Sequence, residues 1–551
     1  MTDYEAERAS FRLPVPERFN FVLDVLERRA ASTPDGLALL SLDAAGAVSA
    51  RHTWADMARE SRRMGHALSA HGIGKGDPVF LMLPRIPEWY VAALGAIRIG
   101  AVPMPGTNLL TAKDIGYRIG RAEAVAAITD SEGAAKVDAA GDLPTLRQRI
   151  VVGEAPDDGW TPLPALLEPA STDPTPPGPD GLGPTAAADP MLLYFTSGTV
   201  SYPKMVMHTQ ASYGIGHIIT ARYWQDLREG DVHWTISDMG WAKAAWGKLF
   251  GQWTQGAAVV LMNMGKPDAD LILDTIARHG VTTFCAPPTL YRMLVQADLK
   301  THDLSGLRHC LSAGEPLNPE VIRVWEQGTG GLTVYDGYGQ TETVNLVANY
   351  RCVPVRPGSM GKPTPGFDVQ VIDDAGAPVA PGDEGHIAVN VAPDRPVGMF
   401  GGYYKDDDAT AAAFQGGWYL TGDKARRDED GYFWFEGRSD DVITSSAYRI
   451  GPFEVESALV EHPAVAEAAV VGRDDPERTQ LVCAFVICAP GHEGSPELAA
   501  ELQDHVKRTT APYKYPRLVY FVDELPKTVS GKIRRSELRE QLRSGNLPGL
   551  G

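Results

Sequence analysis

Trp54, Met57, Met64 and Leu68 recur at the spacing of one helix face, and Gly72 stands where such a helix would stop. The unbroken apolar run from Val79 to Leu83 then predicts a strand buried on both faces. Ala92, Leu94 and Ile97 repeat the helical pattern, Gly100 ends it, and Ala101 to Met104 supply another strand; further short apolar runs end at Thr129 and near Val152. Helices alternating with buried strands predict a parallel sheet with crossover helices. From Thr161 to Pro190 the chain is rich in Pro, Gly, Ser and Ala, which predicts a surface connection leading into a strand from Met191 to Phe195. Beyond Gly366 the period changes to alternating strands and tight turns, in FDVQVIDDAGAPV, EGHIAVNV and a final hairpin, GYFWFEGR. After Arg438 a shorter segment alternates strand and helix again: VAEAAVVG, LVCAFVICA and the amphipathic stretch from Pro496 to Thr509.

The expected fold class is therefore α/β. A large N-terminal domain over residues 1–439 would combine parallel sheets and helices with a β-rich subdomain at about 366–437, and a small, mobile α+β domain would occupy residues 440–551.

The chain has 551 residues, 44% hydrophobic and 22% charged, enough for more than one core and too polar for a membrane-spanning protein. A net charge of −19 argues against wrapping nucleic acid, whose phosphates need clustered cations. The five cysteines are scattered without a C-x-x-C pair, which fits reduced thiols rather than a zinc or redox site. The first residues, MTDYEAERASFRLPVPERF, hold no apolar run of the kind a secretory signal needs, so a cytoplasmic location is expected.

TSGTVSYPK, from Thr196 to Lys204, follows a predicted strand and gathers hydroxyls, a glycine and a lysine in nine residues. Hydroxyls and free backbone N–H groups of Thr196, Ser197, Gly198 and Thr199 can donate to phosphate oxygens, and Lys204 adds a full charge. Alone, such a cluster is most often a solvated turn. The chain has no G-x-x-x-x-G-K-[ST] element that would offer an ordinary P-loop instead.

Three further segments follow in order: YDGYGQTET from Tyr335, WYLTGDKARRDEDGYFWFEGRSDD from Trp418 and PKTVSGKIRR from Pro526. With the phosphate loop they make the chain resemble, over nearly its whole length, the adenylate-forming superfamily of acyl-CoA synthetases, adenylation domains and luciferases. DMGWAKAAWGKLFGQW, APYKYPR and SSAYRIGPFEVESAL are most similar to its medium-chain and aromatic acyl-CoA synthetase branch. The resemblance implies ATP and Mg²⁺ as cofactors and CoA as the acceptor of the activated acyl group. It places Gly314, Glu315, Pro316, Asp336, Gly337, Gly339, Gln340 and Thr341 around the nucleotide, with the Tyr338 ring on adenine. Glu342 would hold Mg²⁺, a hard cation that favours carboxylate and phosphate oxygen. Asp423 would accept from both ribose hydroxyls, and Arg438 would add to the nucleotide site. Lys532, in a Ser-Gly-Lys turn, would neutralise charge as carboxylate meets α-phosphate; with Thr341 and Glu342 it forms the expected catalytic set. Asp440 would be the hinge, Ser446, Ala447 and Tyr448 the acceptor channel, and Trp241, Ala244 and Ala245 part of the acid pocket. The partners implied are a small-molecule acid and its acceptor, with no nucleic acid or membrane and a monomeric or homodimeric state.

Several positions depart from the family pattern. Val200 and Ser201 replace a hydroxyl and a glycine in the phosphate loop, Ala447 replaces a glycine beside the pantetheine channel, and Thr479 replaces another glycine. These substitutions keep open an alternative to CoA transfer: adenylation with another acceptor, such as nitrite adenylation followed by diazotisation of an aromatic amine.

Overall fold

The helix predicted from the Trp54 face runs over Trp54–Ala70, and the sequence sets both its ends. Thr53 and Asp56 form a capping box that satisfies the first free N–H groups, and Gly72 takes φ +74° just beyond the last turn. Trp54, Met57, Met64 and Leu68 are all buried. They face the helix Pro87–Arg98, where a Cβ on Gly95 would lie 2.4 Å from Met64, so only glycine permits this approach. The computed structural model describes residues 1–175, 185–196, 203–315, 317–439, 441–445, 448–528 and 532–545.

The predicted strands form as Pro78–Met82, Val102–Pro105, Ala126–Asp130 and Gln148–Val152, joined into one parallel sheet with Thr161–Pro162 at its edge. The predicted surface connection is thus partly structured. Thr161–Pro162 pairs with the sheet, and the helix Leu163–Leu167 buries all three of its leucines, an apolar cluster strong enough to override the surrounding breakers. Residues 176–184 of that connection lie outside the described residues.

A nine-stranded sheet forms the other half of the large domain. Its parallel centre runs in the order Val334–Tyr338, His309–Ala313, Thr283–Ala286, Val232–Thr235, Ala258–Met262 and Leu37–Leu42. The strand Pro190–Phe195 pairs antiparallel with Met205–Thr209, on either side of the segment expected to bind phosphate. The carboxyl ends of the two parallel sheets approach each other: a Cβ on Gly240, past Val232–Thr235, would sit 2.1 Å from the Thr107 nitrogen past Val102–Pro105. In open α/β sheets such a crevice is where ligands bind.

The β-rich subdomain is an antiparallel sheet of Val369–Ile372, Glu384–Asn390, Trp418–Arg427, Phe414–Gln415 and Phe433–Arg438. After Arg438 a separate sheet gathers Ile443–Ser445, Tyr448–Ile450, Val465–Asp475, Thr479–Cys488 and Leu518–Phe521, with helices Pro452–Val460, Pro496–Thr509 and Arg535–Ser544 packed on it. Its core is a cluster of its own around Val455, Leu459, Val470, Ala484 and Leu502.

The hairpin joining Val465–Asp475 to Thr479–Cys488 explains one departure from the family pattern. Thr479 has φ +68°, a region in which glycine is unstrained and a β-branched residue is not. The Asp475 carboxylate, which accepts from the Glu477 and Arg478 N–H groups, holds the turn in place. Thr479→Gly is therefore expected to stabilise the protein by about 1–2 kcal/mol, read as a higher melting temperature; an unchanged or lower one would refute strain at this position.

Candidate active site

The strand Val334–Tyr338 sets the position of the site because two indoles press on it. A Cβ on Gly337 would meet Trp224 at 2.5 Å and one on Gly339 would meet Trp246 at 2.3 Å, so both glycines are required for packing as well as for any nucleotide approach. The segment beyond the strand is then tied from the other side. The Thr341 carbonyl accepts from His208 Nε2 and from the Tyr213 hydroxyl, each at 2.7 Å. Burial pushes His208 down to about 3, so it is neutral; since a carbonyl only accepts, Nε2 carries the proton and Nδ1 faces the Ser212 hydroxyl at 3.0 Å.

At the centre lies Asp423, 4% exposed, on the strand Trp418–Arg427. Its Oδ2 accepts from the Tyr338 hydroxyl at 2.6 Å and from Gln340 Nε2 at 2.7 Å, and its Oδ1 faces Arg438 Nε at 3.4 Å from the paired strand. Gln340 also donates to the Thr421 carbonyl at 2.8 Å and accepts from the Tyr419 hydroxyl at 2.9 Å. Burial raises the Asp423 pKa, opposed by Arg438, Tyr338, Lys532 and Gln340. The geometry thus brings together Tyr338, Gln340, Asp423 and Arg438, four of the residues assigned to the nucleotide.

Glu342, half-buried, accepts from the Tyr403 hydroxyl at 2.9 Å, and burial raises its pKa. The Lys204 amine lies 4.6 Å from the centre of the same Tyr403 ring, and the Thr196 N–H donates to the Lys204 carbonyl at 3.0 Å, closing the base of the phosphate loop. Tyr403 therefore links the loop's lysine to Glu342, a connection that no local signal in GGYYKDDD announces. Ser197, Gly198 and Thr199, with the substituted Val200 and Ser201, lie outside the described residues, as do Pro316, Asp440, Ser446 and Ala447.

The remaining assigned residues fall at the crevice. Gly314 takes φ +108°, a conformation that favours glycine, and Glu315 follows half-buried. Trp241 caps the helix Ala242–Lys248, on which Ala244 and Ala245 are 1% and 2% exposed. Tyr448 is half exposed and stacks on Tyr513 at 4.1 Å. Lys532, on the small domain, is exposed, and its charge acts on both Asp423 and Lys243. Its backbone pairs with Thr528 at the neck of the turn, N–H to Oγ1 at 3.1 Å and carbonyl to N–H at 2.7 Å. Among the described residues no group of three or more His, Cys, Asp or Glu side chains is arranged to hold a metal.

The AMP-binding enzyme family matches residues 26–404, and the AMP-binding enzyme C-terminal domain matches residues 454–532. The chain belongs to the AMP-binding enzyme family. This AMP-binding enzyme is 45% identical over 549 residues to acyl-coenzyme A synthetase ACSM3, mitochondrial, of Mus musculus, covering 98% of this chain and 93% of the relative. It is 46% identical over 536 residues to acyl-coenzyme A synthetase ACSM5, mitochondrial, of Homo sapiens, covering 96% and 91%. Among solved structures it is similar to the anthranilate CoA ligase AuaEII in complex with anthranoyl-AMP, with a TM-score of 0.88, 30% identity and coverage of 97% and 99%. A benzoate CoA ligase from Burkholderia xenovorans LB400 gives a TM-score of 0.81 at 29% identity, with coverage of 95% and 100%. The α/β architecture with a β-rich subdomain and a separate C-terminal domain is thus the family's. The expected cytoplasmic location does not stand, because these relatives are named as mitochondrial. Among the described residues no helix is long and apolar enough to cross a membrane.

Asp336 gives the site a pH signature. Burial raises its carboxyl to about 7 against the opposing pull of the Gly337 and Leu317 N–H groups and Lys243. Between about pH 4 and pH 7 the unfolded chain would be ionised here while the folded one holds a proton, so stability falls as pH rises through this window and levels off above it. Asp336→Asn, which keeps the acceptor, should match the wild type near pH 4 and exceed it by about 2–4 kcal/mol at pH 8. Parallel melting curves across that range would show an uncoupled carboxyl instead.

Proposed function

We propose that the protein joins AMP from ATP to a medium-chain or aromatic carboxylic acid and then passes the acyl group to CoA. The observation that carries this reading is the cluster of Asp423, Tyr338, Gln340 and Arg438 in the large domain, with the charge of the small domain's Lys532 acting on Asp423. In the first half-reaction a carboxylate oxygen attacks the α-phosphorus, and the bond to pyrophosphate breaks with its electron pair leaving on pyrophosphate. Lys532 neutralises the charge that gathers as the two anions meet, an interaction that strengthens toward the transition state. Asp423 takes the ribose hydroxyls, the Tyr338 ring meets adenine, and Thr196 to Lys204 hold the outer phosphates. In the second half-reaction the CoA thiol attacks the acyl carbon and AMP leaves, after the small domain of residues 440–551 turns about Asp440 and withdraws Lys532.

Glu342 fits Mg²⁺ on the chemistry of its surroundings. It is a half-buried carboxylate whose charged form is disfavoured by burial, held by one hydroxyl and linked through Tyr403 to the phosphate-loop lysine. Mg²⁺ in such sites draws its other ligands from substrate phosphates and water, so a single protein carboxylate suffices. Bound there, the ion would supply charge neutralisation on the phosphates.

The reading as nitrite adenylation loses one of its supports. Thr479 belongs to a strained hairpin turn, and the other substitutions that favoured a changed acceptor lie outside the described residues. Pyrophosphate release from ATP is expected with hexanoate, octanoate or benzoate, with the thioester formed when CoA is added. Lys532→Ala should lower the adenylation rate by about 10²–10³ while leaving the melting temperature unchanged. Release with nitrite alone, or acyl-adenylate that never reaches CoA, would overturn the proposal.

A further inference from the structure

Lys243 is a half-buried lysine in the first turn of the helix Ala242–Lys248, and no role assigned above uses it. Its amine donates to the carbonyl of Ala313 at 2.8 Å. Ala313 ends the strand His309–Ala313, directly before Gly314, and in register it faces Gly337 of Val334–Tyr338. The amine therefore sits over the carboxyl ends of the two strands that supply Glu315, Asp336 and Tyr338. Its electrostatic neighbours are Cys285, Glu315, Asp336 and Lys532. Lys532, from the other domain, lowers the tendency of this amine to hold its charge, whereas Glu315 and Asp336 raise it, and a substrate anion at the strand ends would add to the second effect.

We propose that Lys243 binds the carboxylate of the acid substrate, as the large domain's own cation facing Lys532 across the reacting groups. This rests on the adenylation reading and adds to it a division of labour. Lys532 rides on the small domain and leaves after adenylation, whereas Lys243 stays with the large domain throughout. One of its three N–H bonds is spent on Ala313, which aims the amine and leaves two for substrate oxygen. Burial lowers the amine's pKa, and Cys285, Glu315 and Asp336 oppose that, so an arriving carboxylate further stabilises the charged form. Nearby, Ser312 Oγ is fully buried with no hydrogen-bond partner among the described residues, a spare polar group on the same strand end. Lys243 transfers no proton: the carboxylate arrives as the anion, and the electron pair of the broken P–O bond leaves on pyrophosphate.

The test is carboxylate-dependent ATP–pyrophosphate exchange with octanoate on the full-length enzyme. Lys243→Met should raise the KM for octanoate by about ten- to hundredfold with the KM for ATP within about twofold, and Lys243→Arg should recover most of the loss. Equal rises in both KM values, or an unchanged octanoate KM, would overturn the proposal in favour of a purely structural clamp on Ala313. A second measurement does not depend on Lys243 variants folding. In Lys532→Ala, whose change is at an exposed position, octanoate should still raise the melting temperature more than neutral octanamide does; equal shifts would overturn it. A wild type that binds octanoate over octanamide yet exchanges no pyrophosphate would count against the adenylation reading and leave carboxylate binding intact.

Discussion

Asp423 is a carboxylate buried where the β-rich sheet meets the nine-stranded sheet, and a buried charge must be met by donors or give up its ionisation. The donors come from different elements: Tyr338 and Gln340 from the end of the nine-stranded sheet, Arg438 from the neighbouring strand of the β-rich sheet. Oδ2 is filled by two short bonds, whereas among the described residues Oδ1 has the one long contact with Arg438, which leaves that oxygen acceptor capacity. The same bonds lock the Tyr338 ring by its hydroxyl. The seating of the β-rich subdomain and, on the proposed function, the recognition of the nucleotide would thus be one interaction.

The packing behind the cluster explains why it holds its shape. Trp224 and Trp246 leave room only for glycine at Gly337 and Gly339, and His208 and Tyr213 pin the Thr341 carbonyl from the opposite side. The small domain has ion pairs of its own. Arg535 pairs with Glu456 at 2.8 Å, and Asp441, beside the expected hinge, pairs with Arg539 at 2.6 Å. Both pairs lie within the small domain and brace the element that carries Lys532. Across the boundary, Glu436 of the large domain has its pKa raised to about 7 by burial and by Glu454, which itself pairs with Lys514. Arg426, 2.9 Å from Glu436, and Lys514 offset that repulsion.

Much of this was legible in the chain. The helix at Trp54–Ala70 and the strand at Pro78–Met82 follow from apolar period and caps, because local pattern and tertiary burial agree there. Ordered motifs single out Asp423, Tyr338 and Lys532 as candidates, where composition alone leaves each as a turn or a core aromatic. Lys243, Tyr403, Tyr419 and His208 were not singled out, since their partners are distant in sequence and only the fold brings them together. The leucines of Leu163–Leu167 were masked by the prolines and glycines around them, and Thr479 is explained only by its φ.

The most direct test of Asp423 as the ribose clasp of an adenylate-forming site is the KM for ATP compared with 2′-deoxy-ATP and 3′-deoxy-ATP in octanoate-dependent pyrophosphate exchange. Loss of either hydroxyl removes a hydrogen bond to a charged acceptor, so each analogue should show a KM higher by about tenfold or more. Equal KM values for all three nucleotides would contradict the assignment.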